Sequence, residues 1–159
     1  MKVFDMAIDL ELNGEQFYRS LAEDAKSSGL KSVFNMLADD ETKHKMIFQN
    51  LGENVFTDIE DTAIISNSNT VFTTMKKEDF VNEKDQINVY KKALEIEQKS
   101  IEYYKELLGL AEDLQSATAV ERIIFEEEKH SRLLEYLIEY VSKPDTWVED
   151  AEFYLKEDY

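Results

Sequence analysis

Apolar and aromatic residues recur at spacings of three and four in four separate stretches of the chain. That period marks helices with one buried stripe. The first stripe reads Phe4, Ala7, Glu11, Gly14, Tyr18, Leu21, Ala25, and the second Phe34, Leu37, Glu41, His44, Phe48, Leu51. The third reads Tyr90, Ala93, Glu97, Ser100, Tyr104, Leu107, Ala111, and the fourth Val120, Ile123, Glu127, His130, Leu134, Leu137, Val141. The pattern predicts helices over residues 3–26, 30–51, 87–111 and 117–142. Gly29 and Gly52 are expected to stop the first two, and Pro144 forbids continuation of the last. The short connections within each pair predict two antiparallel hairpins, 3–51 and 87–142.

Residues 52–86 break the period. They are rich in Thr, Asn and Ser, and a connection this long is uncommon unless it serves a purpose. A helix of ~22 residues is ~33 Å long, so this crossover can return along the whole bundle, with room for a short helix, and set the third helix parallel to the second. The expected domain is an all-α four-helix bundle over residues 1–143. The tail, 144–159, contains Trp147, Phe153 and Tyr154 and reads as a short packing or dimer-contact segment, a short helix being compatible with it.

An offset of 86 residues superposes the two halves without a gap: Glu11 falls on Glu97, Tyr18 on Tyr104, Glu41 on Glu127 and His44 on His130. One offset holding across both hairpins indicates a duplicated helical hairpin.

The middle of each stripe is where the pattern becomes chemical. Four glutamates and the chain's two histidines occupy positions that elsewhere on the stripes are apolar. Burying an unpaired carboxylate costs several kcal/mol or forces it to stay protonated, and no Lys or Arg shares the stripes. Two divalent cations would balance the four charges. Glu and His three residues apart lie about 60° apart around a helix, so both reach one ion. The candidate ligands are therefore Glu11, Glu41, His44, Glu97, Glu127 and His130, each Glu-x-x-His pair serving one ion and Glu11 and Glu97 either bridging or terminal. Gly14 and Ser100 are expected to leave space beside them for oxygen, peroxide or water. Glu126 competes with Glu127 by position, but the repeat aligns it with Asp40. Asp40 and Glu126 are either candidates to back the ligands from outside or ordinary surface acids. Tyr18 and Tyr104 either donate to ligand carboxylates or are plain core tyrosines. Glu15 and Glu95 lie off the stripes and read as surface residues.

Composition narrows the chemistry. With 18 Lys plus Arg against 35 Asp plus Glu, the formal charge is −17. Such a surface repels phosphate backbones and anionic lipid, so neither nucleic acid nor membrane is an expected partner. The absence of cysteine excludes disulfides, thiolate zinc sites and iron–sulfur ligation by this chain, and fits a reducing cytoplasm. The opening MKVFDMAIDLEL carries acids and no apolar run, unlike a signal peptide or a membrane span. Carboxylate and imidazole without sulfur suit iron or manganese.

One Glu from each of two helices plus Glu-x-x-His from each of the other two resembles the ferritin-like di-iron pattern. The run ELNGEQFY, a ligand glutamate followed seven residues later by tyrosine, is similar to the rubrerythrin branch. The resemblance covers residues 3–51 and 87–142. It implies a ferritin-like four-helix bundle with two iron ions, manganese or a mixed pair being alternatives, reacting with hydrogen peroxide or dioxygen in oxidative-stress defence. It also implies a homodimer, domain-swapped in some relatives. Rubrerythrins draw electrons from a rubredoxin-like domain with four cysteines. Here a separate rubredoxin-like donor would be needed. Rubrerythrins also carry an additional metal-binding glutamate three residues after the one matching Glu97, where this chain has Ser100. That departure brings ferroxidase chemistry forward beside peroxide reduction. An iron-storage shell and a metal-free interaction bundle are the other readings.

Overall fold

The computed structural model describes residues 3–149. Four long helices carry it: α1 (Asp5–Asp24), α2 (Ser28–Gly52), α5 (Ile87–Gly109) and α6 (Leu114–Ser142). The crossover holds α3 (Ile64–Thr73), α4 (Lys77–Val81) and one 3-10 turn at Lys84–Gln86, and α7 (Pro144–Glu149) follows α6. No strand occurs among the described residues.

Glycines close α2 at Gly52 and α5 at Gly109, while side-chain caps set the starts of α2 and α6. Ser27 takes the extended N-cap conformation and its hydroxyl accepts from the Leu30 amide at 3.1 Å, satisfying one of the orphan donors of a helix start. Gly29 thus lies in the first turn of α2 and does not stop α1, as its position had suggested. Its missing side chain lets the crossover pack closely, since a Cβ there would sit 2.8 Å from the Met75 sulfur. Asp113 likewise caps α6 through the Ser116 amide at 2.7 Å, three residues before the expected start. Pro144 both ends α6 and opens α7, where its fixed φ suits a first helical position. Trp147 of α7 packs on Phe80 of α4 at 5.4 Å between ring centres. Phe153 and Tyr154 lie outside the described residues.

Two apolar clusters define the helix directions in the bundle. One joins Ala7, Phe48, Leu51, Tyr104, Leu107, Ala119 and Val120. These residues come from the start of α1, the end of α2, the end of α5 and the start of α6. The other joins Leu21, Leu30, Phe34, Tyr90, Ala93, Leu137 and Tyr140, from the opposite ends. So α2 and α5 run parallel to each other and antiparallel to α1 and α6, as the long crossover requires. Phe72 and Phe80 of the crossover complete the second cluster by packing edge-on against Tyr140. Between the clusters, halfway along each long helix, the stripes carry their polar residues.

Crossover and bundle are joined by a buried acid. Glu83, fully buried, accepts from the Lys26 amide and from the Tyr90 hydroxyl, both at 2.8 Å. One carboxylate thus ties the loop after α1, the end of the crossover and the start of α5. No sequence pattern singles it out, because its partners come from three separate segments.

Candidate metal centre

Helical spacing brings Glu11, Glu41, His44, Glu97, Glu127 and His130 to the bundle axis, and each is at most 2% exposed. One helix supplies each of Glu11 and Glu97, and the Glu-x-x-His pairs come from α2 and α6. Their donor atoms form two overlapping clusters that could each hold an ion. The first is Glu11, Glu41, His44 and Glu127, and the second is Glu41, Glu97, Glu127 and His130, with ligand atoms within 4.8 Å of one another in each. Glu41 and Glu127 belong to both clusters, Glu11 and Glu97 to one each. The histidine rings face each other nearly parallel, 5.9 Å apart.

Donor alignment tests whether metal fits. His44 Nδ1 lies 3.0 Å from Glu11 Oε1 and 2.8 Å from Glu127 Oε1. His130 Nδ1 lies 2.9 Å from Glu41 Oε1 and 3.5 Å from Glu97 Oε2. Yet His130 Nδ1, Glu41 Oε1, Glu97 Oε2 and Glu127 Oε2 are all buried and none is aligned for a hydrogen bond. Buried polar atoms without partners are rare and call for an explanation. Around His44 the imidazole bonds the Glu11 and Glu127 carboxylates, whereas around His130 these four atoms crowd a common space without bonding one another. Carboxylate oxygens and imidazole nitrogens are also the donors that iron and manganese take. The residues present fit a pair of such ions.

Electrostatics agree. Burial, reinforced by the neighbouring Glu11 and Glu97, raises the Glu41 carboxyl well above the ordinary range. Burial and the charges of Glu11, Glu41 and Glu97 do the same to Glu127. The His130 imidazole is raised well above its ordinary value: burial opposes its charge, and the hydrogen bond to Asp40 with the nearby Glu97 carboxylate outweighs burial. For Glu97, burial pushes up, and Glu127 and His130 together bring the carboxyl below the ordinary range. Without cations the cluster accommodates its charge only by holding extra protons.

The outer contacts divide the sequence expectations. Asp40 of α2 accepts from His130 Nε2 of α6 at 2.9 Å, so it orients the imidazole of the opposite hairpin and leaves Nδ1 toward the cluster. Its repeat partner Glu126 does not do the same for His44. It accepts from the Thr62 amide and pairs with Lys129 at 2.9 Å. Tyr104 donates to Glu11 Oε2, whereas the buried Tyr18 hydroxyl makes no hydrogen bond. The space expected at Gly14 is taken. A Cβ there would stand 2.7 Å from Glu41 Oε2, so the glycine makes room for a candidate ligand and not for a small molecule. Glu95 is exposed as expected, paired with Lys99, while Glu15 is partly covered beside Lys45.

Sequence reasoning missed Thr62 and Lys129. Lys129 sits three residues after Glu126 and is only 8% exposed, a spacing that was legible. Thr62 had no local signal. Both line or adjoin a cleft of about 740 Å³ between α2 and the crossover, whose wall includes Asp40, His44, Asp58 and Thr62. Among the described residues no helix is long and apolar enough to cross a membrane.

Comparison with known proteins agrees with the geometry. No curated protein and no solved structure matches the chain significantly. The family model described as Rubrerythrin matches residues 2–138. That stretch takes in α1, α2, the crossover, α5, most of α6 and every candidate ligand, and the chain therefore belongs to the rubrerythrin family of ferritin-like di-iron proteins.

Proposed function

We propose that the chain is a non-haem di-iron oxidoreductase that reduces hydrogen peroxide, with Glu11, Glu41, His44, Glu97, Glu127 and His130 holding the two ions. The observation that carries the reading is the set of buried, unaligned donor atoms at the bundle centre. Two iron ions held there would supply one electron each by cycling between the ferrous and ferric states. The chain's own residues do the rest. Glu41 and Glu127, present in both clusters, hold the ions close together. Asp40 fixes the His130 ring, and Tyr104 fixes the Glu11 carboxylate. The apolar clusters at both ends keep bulk water from the centre, and four anionic ligands favour the oxidised ions. The sequence holds no cysteine, so no thiolate-held iron within it supplies the electrons.

Ferroxidase activity is the second reading, and Ser100 favours it. This residue is buried on the α5 stripe, one turn after Glu97, where rubrerythrins have a further ligand. Six ligands suffice to oxidise Fe(II).

Metal content of anaerobically purified protein, followed by the optical spectrum during peroxide addition, tests the proposal. Two irons per chain and peroxide consumed with a supplied reductant support it. Turnover of Fe(II) with dioxygen, but none of peroxide with reductant, moves the assignment to ferroxidase. Glu41→Ala and His130→Ala are expected to lower the metal content. No iron uptake after reconstitution would make the bundle an interaction module.

A further inference from the structure

We propose that Glu126 does not serve the metal centre but latches the crossover beside it, leaving the two ion positions unequal. The inference rests on the di-iron reading above. By the 86-residue repeat Glu126 is the counterpart of Asp40. Both are buried, at 1% and 5% exposure. Asp40 accepts from His130 across the bundle, so equal halves would have Glu126 accept from His44. Instead, His44 Nε2 is buried with no hydrogen-bond partner.

The crossover accounts for the difference. Glu126 Oε1 accepts from the Thr62 amide at 2.9 Å and lies 2.5 Å from the Thr62 hydroxyl. Glu126 Oε2 pairs with Lys129, whose ammonium also donates to the Thr62 carbonyl at 3.3 Å. Amide, hydroxyl and carbonyl of one crossover residue are thus all engaged by an acid–base pair on α6. The Thr62 hydroxyl lies 3.2 Å from Asp40 Oδ2 as well, which sets the latch beside the acid that holds His130. His44 is held at Nδ1 by Glu11 and Glu127, and no acceptor meets its Nε2. An imidazole that binds an ion through one nitrogen carries its proton on the other, and an acceptor for that proton strengthens it as a ligand. His130 has this acceptor. His44 lacks it and borders the cleft under the crossover. The Glu11–His44 position is therefore the looser of the two, and it lies on the side the latch covers.

Anaerobic titration with cobalt(II), read by calorimetry and by the cobalt absorption bands, tests this on the full chain. Wild type is expected to take two ions per chain in two steps of different affinity. Asp40→Asn should weaken the tighter step by about tenfold or more. Glu126→Gln should leave both steps within about threefold of wild type, while hydrogen exchange at the Thr62 amide speeds up by about tenfold. Thr62→Val gives the same test without touching α6: exchange across residues 57–62 rises, both cobalt affinities keep their order, and Thr62→Ser restores protection. A Glu126→Gln loss equal to that of Asp40→Asn would show that Glu126 serves His44 and would overturn the proposal. So would two equal steps in wild type, which would leave the di-iron reading standing. Absence of cobalt binding would remove both.

Discussion

Replacing Gly14 by alanine separates the needs of the fold from those of the site. Gly14 is buried in the middle of α1, where glycine costs about 1 kcal/mol relative to alanine. A fold judged on helix propensity alone would gain from the change. The new Cβ, however, would lie 2.7 Å from Glu41 Oε2, 3.4 Å from Cδ and 3.6 Å from Cγ. Restoring ordinary contact requires the oxygen to move by about 0.7 Å, several times the roughly 0.2 Å tolerance of a metal–ligand distance. Glu41 is one of the two carboxylates common to both clusters, so the displacement affects both ions. Misplacement on this scale is expected to weaken ion binding by about tenfold to hundredfold, or roughly 1.4–2.8 kcal/mol. The metal-free protein should change by no more than about 1 kcal/mol, because helix propensity and crowding oppose each other. The assay is an anaerobic Fe(II) or Mn(II) titration beside thermal melts of the metal-free forms. Gly109→Ala is the control, since nothing lies within 4 Å of its added Cβ. Wild-type affinity for both ions in Gly14→Ala would refute the view that Gly14 exists to seat Glu41.

The same geometry fixes further outcomes. In metal-free protein Glu41, Glu127 and His130 all titrate above their ordinary values. Each contributes stability that is fully present below its unfolded value and is lost as pH rises through the folded one. The lowered Glu97 and Asp40 carboxyls act in the opposite sense, but only in and below the ordinary carboxylate range. The melting temperature of the metal-free protein should therefore fall between about pH 5 and pH 8, and that of metal-loaded protein should fall less; parallel curves would count against cation binding by the cluster. Tyr104→Phe removes the donor to Glu11 and should cost the metal-free fold about 1–2 kcal/mol, whereas Tyr18→Phe, whose hydroxyl is unpaired, should cost under about 0.5 kcal/mol; chemical denaturation distinguishes them. Glu83→Ala leaves the Lys26 amide and the Tyr90 hydroxyl without their acceptor and should destabilise by roughly 2–4 kcal/mol with ion stoichiometry unchanged, because the lesion sits in the apolar end of the bundle.

The sequence by itself determined the four long helices, their pairing and the six residues at the centre. Helical periodicity is local, and a repeat at one offset carries the same pattern into both hairpins, so Glu11, Glu41, His44, Glu97, Glu127 and His130 could be picked out without coordinates. Helix ends were less legible at Gly29, where the Ser27 cap competes with a stronger-looking breaker, and at Asp113, whose cap starts α6 before its apolar period begins. Only the tertiary structure decided that Glu41 and Glu127 are common to both clusters, that Gly14 is filled by Glu41, and that Asp40 and Glu126 part company despite the repeat. The reason is the crossover. Its position against both hairpins depends on Gly29, Phe80, Glu83 and Thr62 meeting residues far away in sequence. It lies between the repeats and has no copy of its own. A duplicated sequence specifies two equal halves, and a single segment that meets α2 and α6 through different residues makes them unequal.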